Sequence, residues 1–145
     1  MMKKFTAYLG IIFLAGCTVP NMARYQVSMT GPGATGNDKE AVREILQTAA
    51  TSLKLKDLTT SSLVANTIAY FQEIDSNNPV KLMAWTEGDK IFIDLMHWPD
   101  QIGETLPYRG AREYIESELK RRFGDRSSTV AFRTLAVERP KPAKP

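Results

Sequence analysis

Between Val80 and Met96 the chain alternates between two kinds of position with a period of two, interrupted once by Glu87-Gly88-Asp89. Val80, Leu82 and Ala84 fall on one side of the first segment, with Lys81, Met83 and Trp85 on the other. Ile91, Ile93 and Leu95 form the inward row of the second, leaving Phe92, Asp94 and Met96 opposite. A period of two belongs to a β-strand with unlike faces, and a short Gly-containing link between two such segments is a hairpin turn. Upstream, residues 64–74 are rich in Thr, Ile, Tyr and Phe and close in Ser76-Asn77-Asn78-Pro79, which is strong turn chemistry. Two hairpins in series predict an antiparallel meander.

Helical spacing flanks the meander. Val42, Ile45, Leu46, Ala49 and Leu53 predict an amphipathic helix over 38–54, with Asn37 and Glu40 read as a capping box at its start. Ala111, Tyr114, Ile115, Leu119 and Phe123 form the stripe of a second helix, which begins near Leu106-Pro107 and stops at Gly124. Residues 128–137 read as a last strand. The order helix-strand-strand-strand-helix-strand predicts an α+β fold, with two helices packed on one face of a small, four-stranded antiparallel sheet. The single domain spans 38–138, preceded by a tether and loop that end at Asn37, and the Pro/Lys-rich residues 139–145 form an extended tail.

The N-terminus carries a different kind of signal. Lys3 and Lys4 precede an apolar run from Phe5 to Phe13, which ends in Leu14-Ala15-Gly16-Cys17, and Cys17 is the chain's one cysteine. A basic region, a short apolar region and small residues before a cut describe a secretory signal peptide over 1–16. With Cys17 directly after the cut, these residues resemble the lipobox of bacterial lipoproteins. The resemblance implies cleavage between Gly16 and Cys17, acylation of the thiol, and a mature N-terminus at 17–37 that is lipidated and flexible. Two or more acyl chains anchor stably where one does not. Thr18 stands where an aspartate commonly marks inner-membrane retention in enterobacterial lipoproteins, so the resemblance implies an outer-membrane address with the domain facing the periplasm.

Removing residues 1–16 takes Lys3 and Lys4 away and no acid, so the formal charge falls from +3 to +1. The basicity belongs largely to the targeting segment, and no nucleic-acid partner is implied. With Cys17 acylated no disulfide is possible, and the domain relies on packing. Charge is nonetheless segregated: acids dominate from Asp57 to Tyr108 and bases from Arg109 onward. This predicts attraction between an acidic sheet and a basic helix, or else a basic face that meets anionic lipid or an acidic partner.

No motif assigns a chemistry. Gly31-x-Gly33-x-x-Gly36 matches the dinucleotide fingerprint formally, but Pro32 occupies the turn, residues 24–29 do not read as a buried parallel strand, and the chain is too short for two mononucleotide-binding halves. Asn37-Asp38 stands where a P-loop needs Lys-Ser/Thr. His97 is the one histidine, and Asp94, three residues earlier, points to the other face of a regular strand. His97 therefore reads as a structural residue or a pH-sensitive contact. A cell-wall enzyme would need a cleft that collects Asp94, His97 or Glu104; otherwise Asp94 and Glu87 both read as solvated strand-end acids. No catalytic, cofactor or metal residues are expected. The remaining candidate is the outer face of the sheet, where Met83, Trp85, Phe92, Met96 and Trp98 form a possible binding surface if the N-terminal segment or the loop 99–105 does not cover them. Two functions fit: a non-catalytic interaction or assembly-accessory module for an envelope protein, or a lipoprotein that holds a small apolar ligand or glycan between helices and sheet.

Overall fold

The computed structural model describes residues 20–29, 31–77, 79–99 and 103–134. The elements are β1 (Asn21–Ser28), α1 (Gly31–Ser52), β2 (Lys56–Asp57), β3 (Thr67–Gln72), β4 (Val80–Glu87), β5 (Lys90–His97), α2 (Leu106–Phe123) and β6 (Ser127–Arg133). The fold is α+β. Its sheet has six strands in the order β2-β3-β4-β5-β1-β6, and every pairing is antiparallel.

The alternation read from β4 and β5 sets the layers. Leu82 pairs with Leu95 and Ala84 with Ile93, and all four are fully buried. On the same face, Ala23, Tyr25 and Val27 of β1 and Ala69 and Phe71 of β3 join one core with Val42, Ile45 and Leu46 of α1 and Ile115 and Leu119 of α2. Both helices therefore cover one face. The β4–β5 turn places Gly88 at φ 60 as the first of two linking residues, which is the glycine position of a II′ hairpin. Pro107 lies in the first turn of α2, where its missing N–H costs nothing, and Gly124 ends the helix with its N–H donated to the Lys120 carbonyl.

Two expectations are corrected. Residues 21–28, read as part of a tether, are a strand between β5 and β6 whose alternate positions Asn21, Ala23, Tyr25 and Val27 are buried. The first helix begins at Gly31 rather than Asp38, so Asn37 lies inside it and the Asn37–Glu40 capping box does not form its start. The sheet consequently gains β1 and the two-residue β2. The segregated charges also pair differently from expectation. Arg122 bonds Glu44 of α1 at 2.7 Å, and Arg126 bonds Asp38 of α1 at 2.9 Å and donates to the Ser28 carbonyl. Arg121 and Arg122 bond Glu118 of their own helix. The side-chain ion pairs of the basic segment thus go to α1, to its own helix and to Glu104 of the acidic stretch, while the end of β1 offers only the Ser28 carbonyl.

A cluster under α2 ties the helix layer to β1. Arg112 engages both oxygens of Glu104, at 2.7 and 3.2 Å, and also reaches Glu116, which in turn accepts the Tyr25 hydroxyl at 2.8 Å. Tyr108 is buried and donates its hydroxyl to the Leu95 carbonyl. Both phenols titrate well above the ordinary tyrosine value: Tyr25 through burial and then the Glu116 hydrogen bond, Tyr108 through burial and then the Glu104 charge. An unfolded tyrosine ionises near about pH 10. The stability these groups contribute is therefore complete below that pH and is lost as pH rises above it. In an alkaline absorbance titration, Tyr25 and Tyr108 will ionise only together with loss of the far-UV circular dichroism. Ionisation of Tyr25 and Tyr108 along with Tyr70 and Tyr114 from a still-folded chain would contradict this.

Candidate interaction surface

The outer face of the sheet is organised in rows across the strands. Gln26, Phe92 and Trp85 are cross-strand neighbours on β1, β5 and β4; Arg24, Asp94, Met83 and Tyr70 form the next row; Met22, Met96, Lys81 and Gln72 form the one after. The side chains of this face are partly exposed, apart from Asp94, which at 5 % exposure is a buried acid rather than the solvated one expected. Met83, Trp85, Phe92 and Met96 thus stand together as expected, and Trp98 continues from the end of β5.

Local chemistry orders the array. The Trp85 and Phe92 rings stack with centroids 5.7 Å apart and planes 24° from parallel, within the range where aromatic pairs attract. Arg24 donates from Nε and Nη2 to the two Asp94 oxygens at 2.6 and 2.7 Å, while its guanidinium carbon lies 5.6 Å from the Trp85 ring centroid. A bidentate, charge-assisted pair is what permits a carboxylate to sit buried among methionines and aromatics. The ammonium of Lys81 lies 5.3 Å from the Trp98 ring centroid, so the polar edge of the patch is also held by cation–π contact. The Tyr70 hydroxyl donates to the Gln72 side-chain carbonyl on β3.

Arg24, Met22 and Gln26 were missed in the sequence because their strand was read as a tether. The signal was present in the alternation of Asn21, Ala23, Tyr25 and Val27 with Met22, Arg24, Gln26 and Ser28. It was weak because the inward row contains an asparagine. That asparagine is fully buried, and its side-chain amide donates to the Gly103 carbonyl at 2.8 Å.

Asp94, His97, Glu104 and Glu87 have separate surroundings. Asp94 lies on the outer face with Arg24; His97 is buried and stacked on Tyr108 with centroids 5.6 Å apart; Glu104 is held by Arg112 and Arg109; and Glu87 is exposed at the hairpin opposite Lys90. Among the described residues no group of three His, Cys, Asp or Glu side chains is placed to hold a metal ion. Hollows open at the surface among the described residues. One of about 340 Å³ runs between the helices at Thr48, Ser52, Pro107 and Tyr114, one of about 280 Å³ lies at Lys39, Arg43 and Asn66, and one of about 270 Å³ lies between α2 and β6 at Glu116, Lys120 and Ser127. Cys17, residues 1–16, read above as a signal peptide, and residues 139–145, read as a tail, lie outside the described residues, and no helix among the described residues is long and apolar enough to cross a membrane. Compared with known protein families, curated proteins and solved structures, the chain matches none.

Proposed function

We propose that the chain is a lipid-anchored envelope lipoprotein acting as a non-catalytic interaction or assembly-accessory module, held in the outer membrane through Cys17 with its domain facing the periplasm. An envelope protein docks on the outer face of the sheet. The observation that carries the docking surface is the division of one sheet into two unlike faces. One is packed under both helices, and the other presents Met83, Trp85, Phe92 and Met96 around an ion pair that is already satisfied. Burying that pair under a partner strands no lone charge, whereas an unpaired Asp94 would oppose docking. Methionines adapt to an imperfectly matched surface, and aromatics with an arginine are the residue types that dominate binding energy. The membrane address rests on the Lys3-Lys4 to Cys17 pattern alone. Confinement to a membrane raises the effective concentration of a partner there, so a modest interface is occupied.

Ligand capture between helices and sheet has less support, since Phe71, Leu82, Ile93, Ile45 and Ile115 fill that layer at 1 % exposure or less. The test is site-specific photo-crosslinking in intact envelopes, with the crosslinking residue at position 83 on the outer face or at position 47 on the exposed side of α1. A discrete protein adduct is expected at 83, absent at 47, and lost when Cys17 is changed to Ser. Adducts of equal yield at both positions, or none at 83, would remove the outer face as the docking surface.

A further inference from the structure

The two edges of the sheet are built differently. β2 is two residues long, both charged, and runs directly into the short helical turn at Thr59–Ser61. Short, charged and covered edges are how proteins prevent strand-to-strand association. β6 is seven residues, Ser-Ser-Thr-Val-Ala-Phe-Arg, with no proline, no acid and one charge at its very end. Among the described residues it pairs with β1 on one side only, so its other side presents backbone N–H and C=O groups away from the described sheet. Val130 and Phe132 on this strand are half exposed, and the Arg112 guanidinium, 4.9 Å from the Phe132 ring centroid, holds that ring in place.

We propose that β6 is a self-association strand, two copies of the chain pairing their β6 edges antiparallel about a two-fold axis at Val130. The strand's own sequence favours a second copy as occupant. An antiparallel pairing centred on Val130 sets Ser127 opposite Arg133, Ser128 opposite Phe132 and Thr129 opposite Ala131. No like charges face one another, and a β-branched residue meets itself at the axis, which is the favourable pattern for cross-strand pairs. The register of β6 against β1 also shifts at this point, since Arg24 pairs with Ala131 but Tyr25 with Thr129. A bulge blunts an edge, so pairing here is confined to the two three-residue runs on either side of Val130, each laid against the other run of its mate, which keeps the association weak. Strand pairing alone buries little area, so the dimer is weak, with a dissociation constant on the order of 10 µM.

The full chain is measured in detergent by sedimentation velocity across a concentration series, beside V130K. The native chain is expected to pass from monomer to dimer, while V130K, which sets two lysines against each other at the axis, raises the dissociation constant at least about tenfold. A second arm does not depend on how V130K folds. On a Cys17→Ser background, Val130→Cys places two thiols within the Cα separation that a disulfide spans. Mild oxidation with oxidised glutathione is expected to give a covalent dimer there and none for Lys56→Cys on β2. A monomer at every concentration, with the edge therefore left to residues 135–145 or to another protein's strand, overturns the proposal. So does a dimer that V130K leaves unchanged, or equal crosslinking at positions 130 and 56. The outer-face docking reading stands or falls separately, because none of these variants touches Met83 or Trp85.

Discussion

Truncating Ile93 to alanine will lower the unfolding free energy by about 2–5 kcal/mol, whereas truncating its neighbour Phe92 will cost only about 1 kcal/mol. The two residues are adjacent in sequence and lie on opposite faces of a central strand. Ile93 is fully buried, flanked by Tyr25 on β1 and Ala84 on β4, and its loss leaves a cavity beneath both helices. Phe92 is partly exposed and loses chiefly its stack on Trp85. Urea denaturation of the two variants measures the difference directly. If Phe92→Ala were as costly as Ile93→Ala, the outer face would be a second core rather than an open surface, and the docking reading would lose its foundation.

Arg112→Ala will be the most damaging change to a polar residue, at about 2–4 kcal/mol, because it removes one partner of a largely buried pair and leaves the other charged. The Glu104 side chain is only 7 % exposed and would keep just the long contact to Arg109 at 3.3 Å. Glu116 would lose its guanidinium while still accepting the Tyr25 hydroxyl. Adding Glu104→Gln to Arg112→Ala removes the stranded charge and should recover about 1 kcal/mol. Thermal unfolding of the single and double variants at neutral pH separates the outcomes. A double variant less stable than Arg112→Ala alone would mean that Glu104 is not the group left uncompensated.

The parts of the fold legible in the sequence are those in which period and turn chemistry agree. In β4 and β5 both faces were read with the correct register, because a strict alternation is anchored by a two-residue turn with glycine at its strained position. In α2, Pro107 and Gly124 mark both ends of an apolar stripe. Where these signals conflict, reading fails. β1 carries the right alternation, but Asn21 and Ala23 give it little apolar contrast, and its burial depends on the Gly103 carbonyl some eighty residues away, which no local window contains. Residues 31–36 look like a loop because glycine and proline disfavour helix, yet α1 extends through them; a proline in a first turn costs little, and the strongly apolar stripe downstream carries the helix. The outer-face patch was only half legible for the same reason. Its β4 and β5 residues were visible, while Arg24, which pairs with Asp94 and lies over Trp85, sits on the strand that was missed.

The position of β1 also limits how far the domain could stand from an acylated Cys17. Only Thr18, Val19 and Pro20 separate Cys17 from Asn21, the first residue of a strand locked between β5 and β6. A four-residue step spans at most about 14 Å when fully extended. With Cys17 acylated as proposed, the domain is on a short leash rather than a long one, and it cannot turn freely above the bilayer. The end of the sheet drawn toward the headgroups is the one that carries Met22, Met96, Lys81 and Trp98, and a tryptophan beside a long cationic side chain suits the boundary between lipid and water. The stacked Trp85 and Phe92 lie further along the strands, away from the end that Cys17 would tether, so on this proposal they stay open to a partner.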